Sequence, residues 1–346
     1  MKAPIPSLSF PALLRIGAAA VALLLAGCGG SSSTPAAASS NSTAAAPAKT
    51  LHLAFIPKGM QNVYWKSVQA GMLQAQKEAE AKGTKVDIDW NGPPNEGDRA
   101  AQIALMETYV AQGLDGIILC PMEYNALVAP AEKAHRAGIP LVIVDSPLNY
   151  PETVAFVGTG NRKAGVMAGD ELARELGEKG NVIMMRFMPG SASTNEREEG
   201  FLDAMKKYPN ITILSSDNYA GDDREKALDK GSNLLSRYQN VDGIFTPNEP
   251  STNGMLLAIE KAGLAGKVKF VGFDGGAANM AGLQAGEINA LVLQDPYTMG
   301  YDGVNTMLDF LAGKTVPTNI DTGTVLLTKD NQDTPAVKAL LAHTVM

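Results

Sequence analysis

The sequence predicts an α/β protein built as two doubly wound parallel-sheet domains. Three observations carry this. Short apolar runs alternate with amphipathic helical stretches, as parallel sheets covered on both faces require. About 295 of the 346 residues follow an unusual N-terminal segment, more than one hydrophobic core ordinarily serves. The chain also repeats itself once, at domain scale.

The repeat rests on three landmarks. Gly71-Met72-Leu73 opens one amphipathic helix and Gly200-Phe201-Leu202 another, 129 residues on. Asp115-Gly116-Ile117-Ile118 and Asp242-Gly243-Ile244-Phe245 open strands 127 residues apart, and the aspartates ending the strands that follow, Asp145 and Asp274, are again 129 apart. Agreement within two residues points to duplication of a whole unit, too long for a solenoid repeat.

Within the first unit, Leu53 to Ile56 reads as a strand. A helix from Tyr64 to Ala81 follows, with Trp65, Val68, Met72, Ala75 and Ala79 on one face and Gly83 after its end. Val86 to Ile88 is a strand, and a helix from Asp98 to Gln112 stops at Gly113. Strands Asp115 to Ile118 and Leu141 to Val144 complete the unit. The second repeats it with strands Val182 to Arg186, Ile211 to Leu214, Gly243 to Thr246, Val268 to Phe273 and Ala290 to Leu293. Glycine just beyond a helix suits the left-handed cap position.

The first fifty residues differ in kind. They contain no acidic residue, and Lys2 and Arg15 precede or open an apolar run, Ile16 to Leu25. A bilayer span takes about 20 apolar residues, so this run reads as an export signal rather than a membrane helix. Leu25-Ala26-Gly27-Cys28 resembles a lipobox, with Cys28 the acylated residue. Residues 29–50, rich in Ser, Ala, Thr and Pro, predict a flexible tether. Cys120, the second of two cysteines, lies in the apolar run Ile117-Ile118-Leu119-Cys120 and is expected as a buried free thiol. Removing Lys2 and Arg15 takes the net charge from −7 to −9, which argues against nucleic acid as a partner.

Ligands of open parallel sheets bind beyond the carboxyl ends of the strands. The polar and aromatic groups there are Lys58, Gln61, Asn62, Tyr64 and Trp65 after the first strand, then Asp145, Arg197, Asn248, Glu249, Asp274, Gln294 and Asp295. Carboxylates, amides and a guanidinium bond to hydroxyls, and aromatic faces accept the C–H face of a sugar ring. The set suits a sugar or polyol better than an amino acid, peptide or metal. Alternatives compete at single positions: either aspartate capping a helix, Trp65 packing in a core, Arg197 on an exposed helix start.

Catalysis finds little support. His52, His135 and His343 lack metal-ligand spacing, and neither a phosphate-binding loop nor a GxSxG elbow occurs. Gly158-Thr159-Gly160 is a partial dinucleotide fingerprint with Lys163 in place of its third glycine. Asp145 with Asp274 as an acid/base pair for glycoside cleavage has no other feature behind it. No cofactor and no metal are expected.

Over residues 51–335 the chain resembles the type I periplasmic binding proteins of sugar ABC transporters, nearest to the ribose-binding group. The matching stretches are Gln61 to Ser67, Ala137-Gly138-Ile139-Pro140 through Asp145, Glu196 to Phe201, Pro247-Asn248-Glu249, Val271 to Gly275 and Leu293 to Pro296. The resemblance implies that Asn62, Tyr64, Trp65, Asp145, Arg197, Asn248, Asp274 and Gln294 contact the ligand. It implies three strands crossing between domains near Gly158, Gln294 and Thr324 as a hinge, with lobes of residues 51–158 plus 295–324 and 159–294 plus 325–346. Ser146 stands where the ribose-binding pattern has an arginine, with Lys58 a candidate replacement, and Asp222 where an aromatic is expected; pentose, hexose, polyol and autoinducer-type ligands are open. The implied partners are a sugar, an ABC permease with its ATPase, and a membrane reached through the lipid anchor alone; a monomer is expected. A sensor subunit presenting its bound form to a chemoreceptor or sensor kinase is the alternative. The same fold serves as the effector domain of sugar-responsive repressors, but the export signal stands where their DNA-binding helices would be.

Overall fold

A computed structural model describes residues 49–344. The expected signal of residues 1–28, with Cys28, and all but the last two residues of the tether lie outside the described residues.

Two six-stranded sheets organise the chain. The first runs β2 (Val86–Trp90), β1 (Leu51–Ile56), β3 (Gly116–Leu119), β4 (Leu141–Val144), β5 (Ala155–Gly158) and β11 (Asn319–Asp321), and every pairing in it is parallel. The second runs β7 (Asn210–Tyr219), β6 (Lys179–Arg186), β8 (Gly243–Phe245), β9 (Lys269–Phe273), β10 (Ala290–Gln294) and β12 (Thr324–Thr328), parallel except for the antiparallel β10–β12 pair. The strand order within the two units is the same, as duplication requires.

Both faces of each sheet are buried, which is why the strands read as apolar runs rather than alternations. In β1, Leu53 and Phe55 face a core shared with α1 (Tyr64–Ala81) and α9 (Pro296–Leu311), while Ala54 and Ile56 face one shared with α2 (Arg99–Gln112) and α3 (Val128–Arg136). In β6, Val182 and Met184 face α4 (Asn161–Glu175) and α5 (Ala192–Met205). Ile183 and Met185 face α6 (Arg224–Arg237), α7 (Glu249–Lys261) and α8 (Ala277–Ala285). A last helix, α10 (Pro335–Leu341), adds Val337 to that core.

The glycines that marked the repeat have a packing reason. A Cβ on Gly71 would lie 1.9 Å from the Tyr297 carbonyl oxygen, and one on Gly300 would lie 1.9 Å from that of Val68. In the second unit Gly200 faces the Arg162 carbonyl at 2.1 Å and Gly165 that of Arg197 at 2.0 Å. Reciprocal glycines therefore bring α1 against α9, and α4 against α5, at backbone contact.

Strand β7 is longer than the apolar run Ile211 to Leu214 indicated. It continues through Ser215-Ser216-Asp217-Asn218 to Tyr219, with register shifts against β6. As an edge strand it needs less burial, so its polar half carries no hydrophobic signal.

The chain passes between the sheets three times: from β5 into α4, which packs on the second sheet; from β10 into α9, which packs on the first; and from β11 into β12. The passages are tied together. Thr159 Oγ1 donates to Gln294 Oε1 (3.1 Å), Gly160 N to Asp321 Oδ1 (3.3 Å), and Thr322 N to the Gly158 carbonyl (2.9 Å). The partial dinucleotide fingerprint is thus the first passage, braced against the other two.

Candidate functional site

The carboxyl ends of both sheets converge on one small cavity of about 30 Å³. Lys58, Asn62, Tyr64, Trp65, Asp145, Arg197, Asn248, Asp274 and Gln294 all line it. Of the other strand-end polar groups, Glu249 lines it as well; Gln61 stands further out, and Asp295 caps α9, accepting from Thr298 N at 2.9 Å.

The two aspartates anchor the arrangement. Each ends a strand with φ at 67°, and each gives its backbone N–H to the neighbouring strand: Asp145 to Val157 O and Asp274 to Val292 O, both 2.9 Å. A left-handed backbone is costly for most side chains and tolerated by Asp, whose short polar group bonds locally. Neither aspartate caps the helix that follows it.

Their partners differ. Asp145 Oδ2 lies 2.6 Å from Lys58 Nζ in a buried ion pair, and its Oδ1 accepts from the Tyr64 hydroxyl at 2.9 Å. Asp274 has neutral donors: Gln294 Nε2 at 2.7 Å and the backbone N–H of Glu249, first residue of α7, at 2.9 Å. Burial is the largest influence on Asp274 and pushes its carboxyl up, against the pull of Arg197. Burial, then Asp145 and Asp274, push the Tyr64 phenol well above its ordinary value, so it stays a donor.

Arg197 lies in the second turn of α5 and is 2% exposed, which removes the exposed-helix reading. It donates through Nε to Asn161 Oδ1 (2.8 Å), through Nη1 to the Pro247 carbonyl (2.9 Å) and through Nη2 to Gln294 Oε1. Its plane stacks over Phe273, 4.7 Å away. These bonds use three of the five guanidinium donors. Gln294 is a junction, accepting from Arg197 and Thr159 and donating to Asp274, so one passage between the sheets ends inside the site.

Trp65 packs in the core and also borders the cavity. Its ring belongs to the core with Val68 and Met72, while Nε1 donates to Glu96 Oε1 at 2.9 Å and the ring borders the cavity. It meets Tyr64 edge-on, centroids 5.1 Å apart. Asn62 donates to the same Glu96 oxygen (3.2 Å) and accepts from Tyr64 N. Asn248 caps α7, accepting from Ser251 N, so its Oδ1 is already engaged.

Glu96, Phe187, Ser193, Thr194 and Pro250 also line the cavity and were not foreseen. Glu96 lies six residues past β2, where the strand-end rule applies, but just after Asn91-Gly92-Pro93-Pro94, whose composition reads as a plain turn. Burial pushes its carboxyl up, more than Lys58 and Trp65 draw it down. Burial, with Asp274 and Glu96 beside it, raises Glu249 to about 8, leaving it mostly protonated at neutral pH.

The two halves touch across the cavity. Lys58 Nζ donates to Ser193 Oγ (3.2 Å), Ser193 N to Ser146 Oγ (3.1 Å), and Tyr124 N to the Gly190 carbonyl (3.0 Å). Ser146 thus meets the opposite half of the protein. Among the described residues no group of His, Cys, Asp and Glu is placed to hold a metal ion, and Cys120 is a buried free thiol.

Comparison with known proteins agrees with this geometry. A periplasmic binding protein domain matches residues 53–315. The D-allose-binding periplasmic protein of Escherichia coli is 32% identical over 273 residues, 76% of this chain and 86% of that one. A carbohydrate transporter solute-binding protein from Agrobacterium radiobacter, solved with D-arabinose, superposes with a TM-score of 0.79 at 33% identity, covering 84% of this chain and 98% of its own. An ABC transporter solute-binding protein from Agrobacterium vitis, solved with D-fucose, gives 0.78 at 34%, covering 84% and 99%. The chain belongs to the periplasmic binding protein family.

Proposed function

We propose that this chain is the extracytoplasmic solute-binding protein of an ABC sugar importer and performs no chemistry of its own. One observation carries the reading. Nine polar and aromatic side chains from the strand ends of two duplicated sheets surround one cavity, with an aspartate from each half at matched, left-handed backbone positions. Buried polar groups left unpaired cost about 1–3 kcal/mol each, so such a wall selects ligands by their hydroxyls. Relatives named for D-allose, and neighbours holding D-arabinose and D-fucose, favour a monosaccharide ring.

The cavity is too small to admit a ring with its walls where they stand. Entry therefore requires the lobes, residues 51–158 plus 295–324 and 159–294 plus 325–346, to part about the three passages. Ligand touching both lobes favours the closed form by its differential affinity for it, and the closed form docks on the permease. Residues 1–28 act as the export signal, Cys28 carries the lipid, and residues 29–50 tether a monomeric binding domain to the membrane.

A thermal-shift screen against pentoses, hexoses, polyols, nucleosides and amino acids tests this. Ligand at about 100 times its Kd stabilises by about 2.7 kcal/mol, a shift of a few degrees. A sugar hit lost in both Asp145→Ala and Asp274→Ala is the expected result. A response to amino acids or nucleosides alone would remove the sugar assignment.

A further inference from the structure

A second space adjoins the inner cavity. Asn62, Glu96, Glu249 and Pro250 also border a second chamber of about 260 Å³, much roomier than the inner one. Its remaining wall is built from both halves: Gly59, Gln61, Val63 and Asn95 on one side, residues 222–225 and Asn253 on the other. The shared residues set the two spaces side by side, so a group attached to a bound ring has room beside it once the lobes part.

The chemistry of this outer chamber is one-sided. Its cations are engaged: Arg224 bonds Glu225 at 2.8 Å, and Lys226 beside it bonds Asp222 and Asp223. Glu96 and Glu249 stand at the junction of the chambers, both largely buried. Among the described residues no cation stands against Glu249, which takes one backbone hydrogen bond from Tyr64. The cation acting on Glu96 is Lys58, through space, beside the hydrogen bonds from Trp65 and Asn62 and against the charge of Asp145. Burial already pushes both carboxyls up. An arriving hydrogen-bond donor or cation relieves that condition, and an arriving anion worsens it.

We propose that the ligand is a sugar extended by a donor-bearing, non-anionic substituent, with the ring between Asp145 and Asp274 and the substituent in the outer chamber against Glu96 and Glu249. This rests on the reading of the cleft as a sugar site. The substituent is a second hydroxylated ring or an amine, two sources of the same donor chemistry.

Isothermal titration of the full chain distinguishes them. The probes are D-allose, D-arabinose and D-fucose, their methyl, 2-aminoethyl and carboxymethyl glycosides as both anomers, and disaccharides joined through other positions. At least one disaccharide or aminoethyl glycoside is expected to bind about tenfold tighter than its free ring, which corresponds to about 1.4 kcal/mol. The better of the two classes names the source. The carboxymethyl counterpart is expected to bind more weakly than the ring. Asn253→Trp, which fills the outer chamber from α7 without touching the inner cavity, should erase the gain and leave the affinity for the free ring unchanged. Gln61→Trp, filling it from the other half, gives the same readout if the first variant fails to fold. Free rings that bind while every extension weakens binding would overturn the proposal, as would a gain that survives both tryptophans. If no ring binds with or without an extension, the sugar assignment fails first and takes this inference with it.

Discussion

Asp145 and Asp274 occupy equivalent places in two copies of one unit, yet they are held differently. Backbone angle, strand-end position and the bond to the neighbouring strand are the same in both. The first copy then surrounds its aspartate with a lysine and a phenol, and the second with an amide and a helix N–H. What the duplication kept is backbone geometry, which many residues jointly enforce. What diverged is the set of side chains that compensate the charge, where one substitution suffices. The same division separates the helix pairs, whose reciprocal glycines are retained, from the cleft walls, which are not alike.

The retained part is the harder to break. Gly71→Ala and Gly200→Ala each put a methyl within about 2 Å of a backbone carbonyl, and neither helix of the pair can yield without unpacking from its sheet. Each is expected to lower unfolding free energy by at least about 4 kcal/mol, toward the extreme of single substitutions. Urea denaturation of the two variants should give losses of similar size. A mild effect in one and a severe effect in the other would mean that the two helix pairs are not equivalent after all.

The divergent part predicts unequal losses. Lys58→Met leaves the Asp145 carboxylate buried beside a single phenol, and breaking a buried ion pair by removing one partner costs about 3–5 kcal/mol. Gln294→Leu takes one neutral donor from Asp274, and the Glu249 N–H remains; about 1–3 kcal/mol is expected. Chemical denaturation of both variants at pH 7 ranks them directly. Equal losses would show that the cation does no more for its aspartate than the amide does for its counterpart.

The extent to which this was legible in the sequence follows the same division. Continuous apolar strands, helix-stopping glycines and the two aspartates 129 residues apart were readable because backbone requirements leave marks in residue type and spacing. All nine foreseen side chains meet at one cavity because a parallel sheet fixes where its strand ends point. Pairing within the cavity was not readable. Nothing along the chain says that Lys58 answers Asp145 rather than Glu96, since all three are brought together only by the sheet. Glu96 escaped notice because it works through Trp65 and Asn62, and the polar half of β7 because an edge strand need not be apolar.

The smallest expected effect, taken over one pH unit, is a slope with pH, and it should belong mainly to the second half. Glu249 is raised to about 8 by burial and by the neighbouring Asp274 and Glu96, and Glu198, buried beneath Phe187, is raised to about 7 chiefly by burial. An unfolded glutamate titrates near 4.3, so between that value and about 8 the folded protein holds protons that the unfolded chain has released. The stabilising contribution is therefore complete below about pH 4.3 and is lost as pH rises through the folded values. One such group gives at most about 1.4 kcal/mol per pH unit. Glu249→Gln keeps a neutral group of the same shape and should flatten the decline in stability between pH 6 and 8, as Glu198→Gln should between pH 5 and 7. Melting temperatures across this range for the parent and the two variants test it. A parent protein equally stable from pH 5 to 8 would mean that both carboxyls are ionised in place, and that the second half finds compensation for them as the first half does through Lys58.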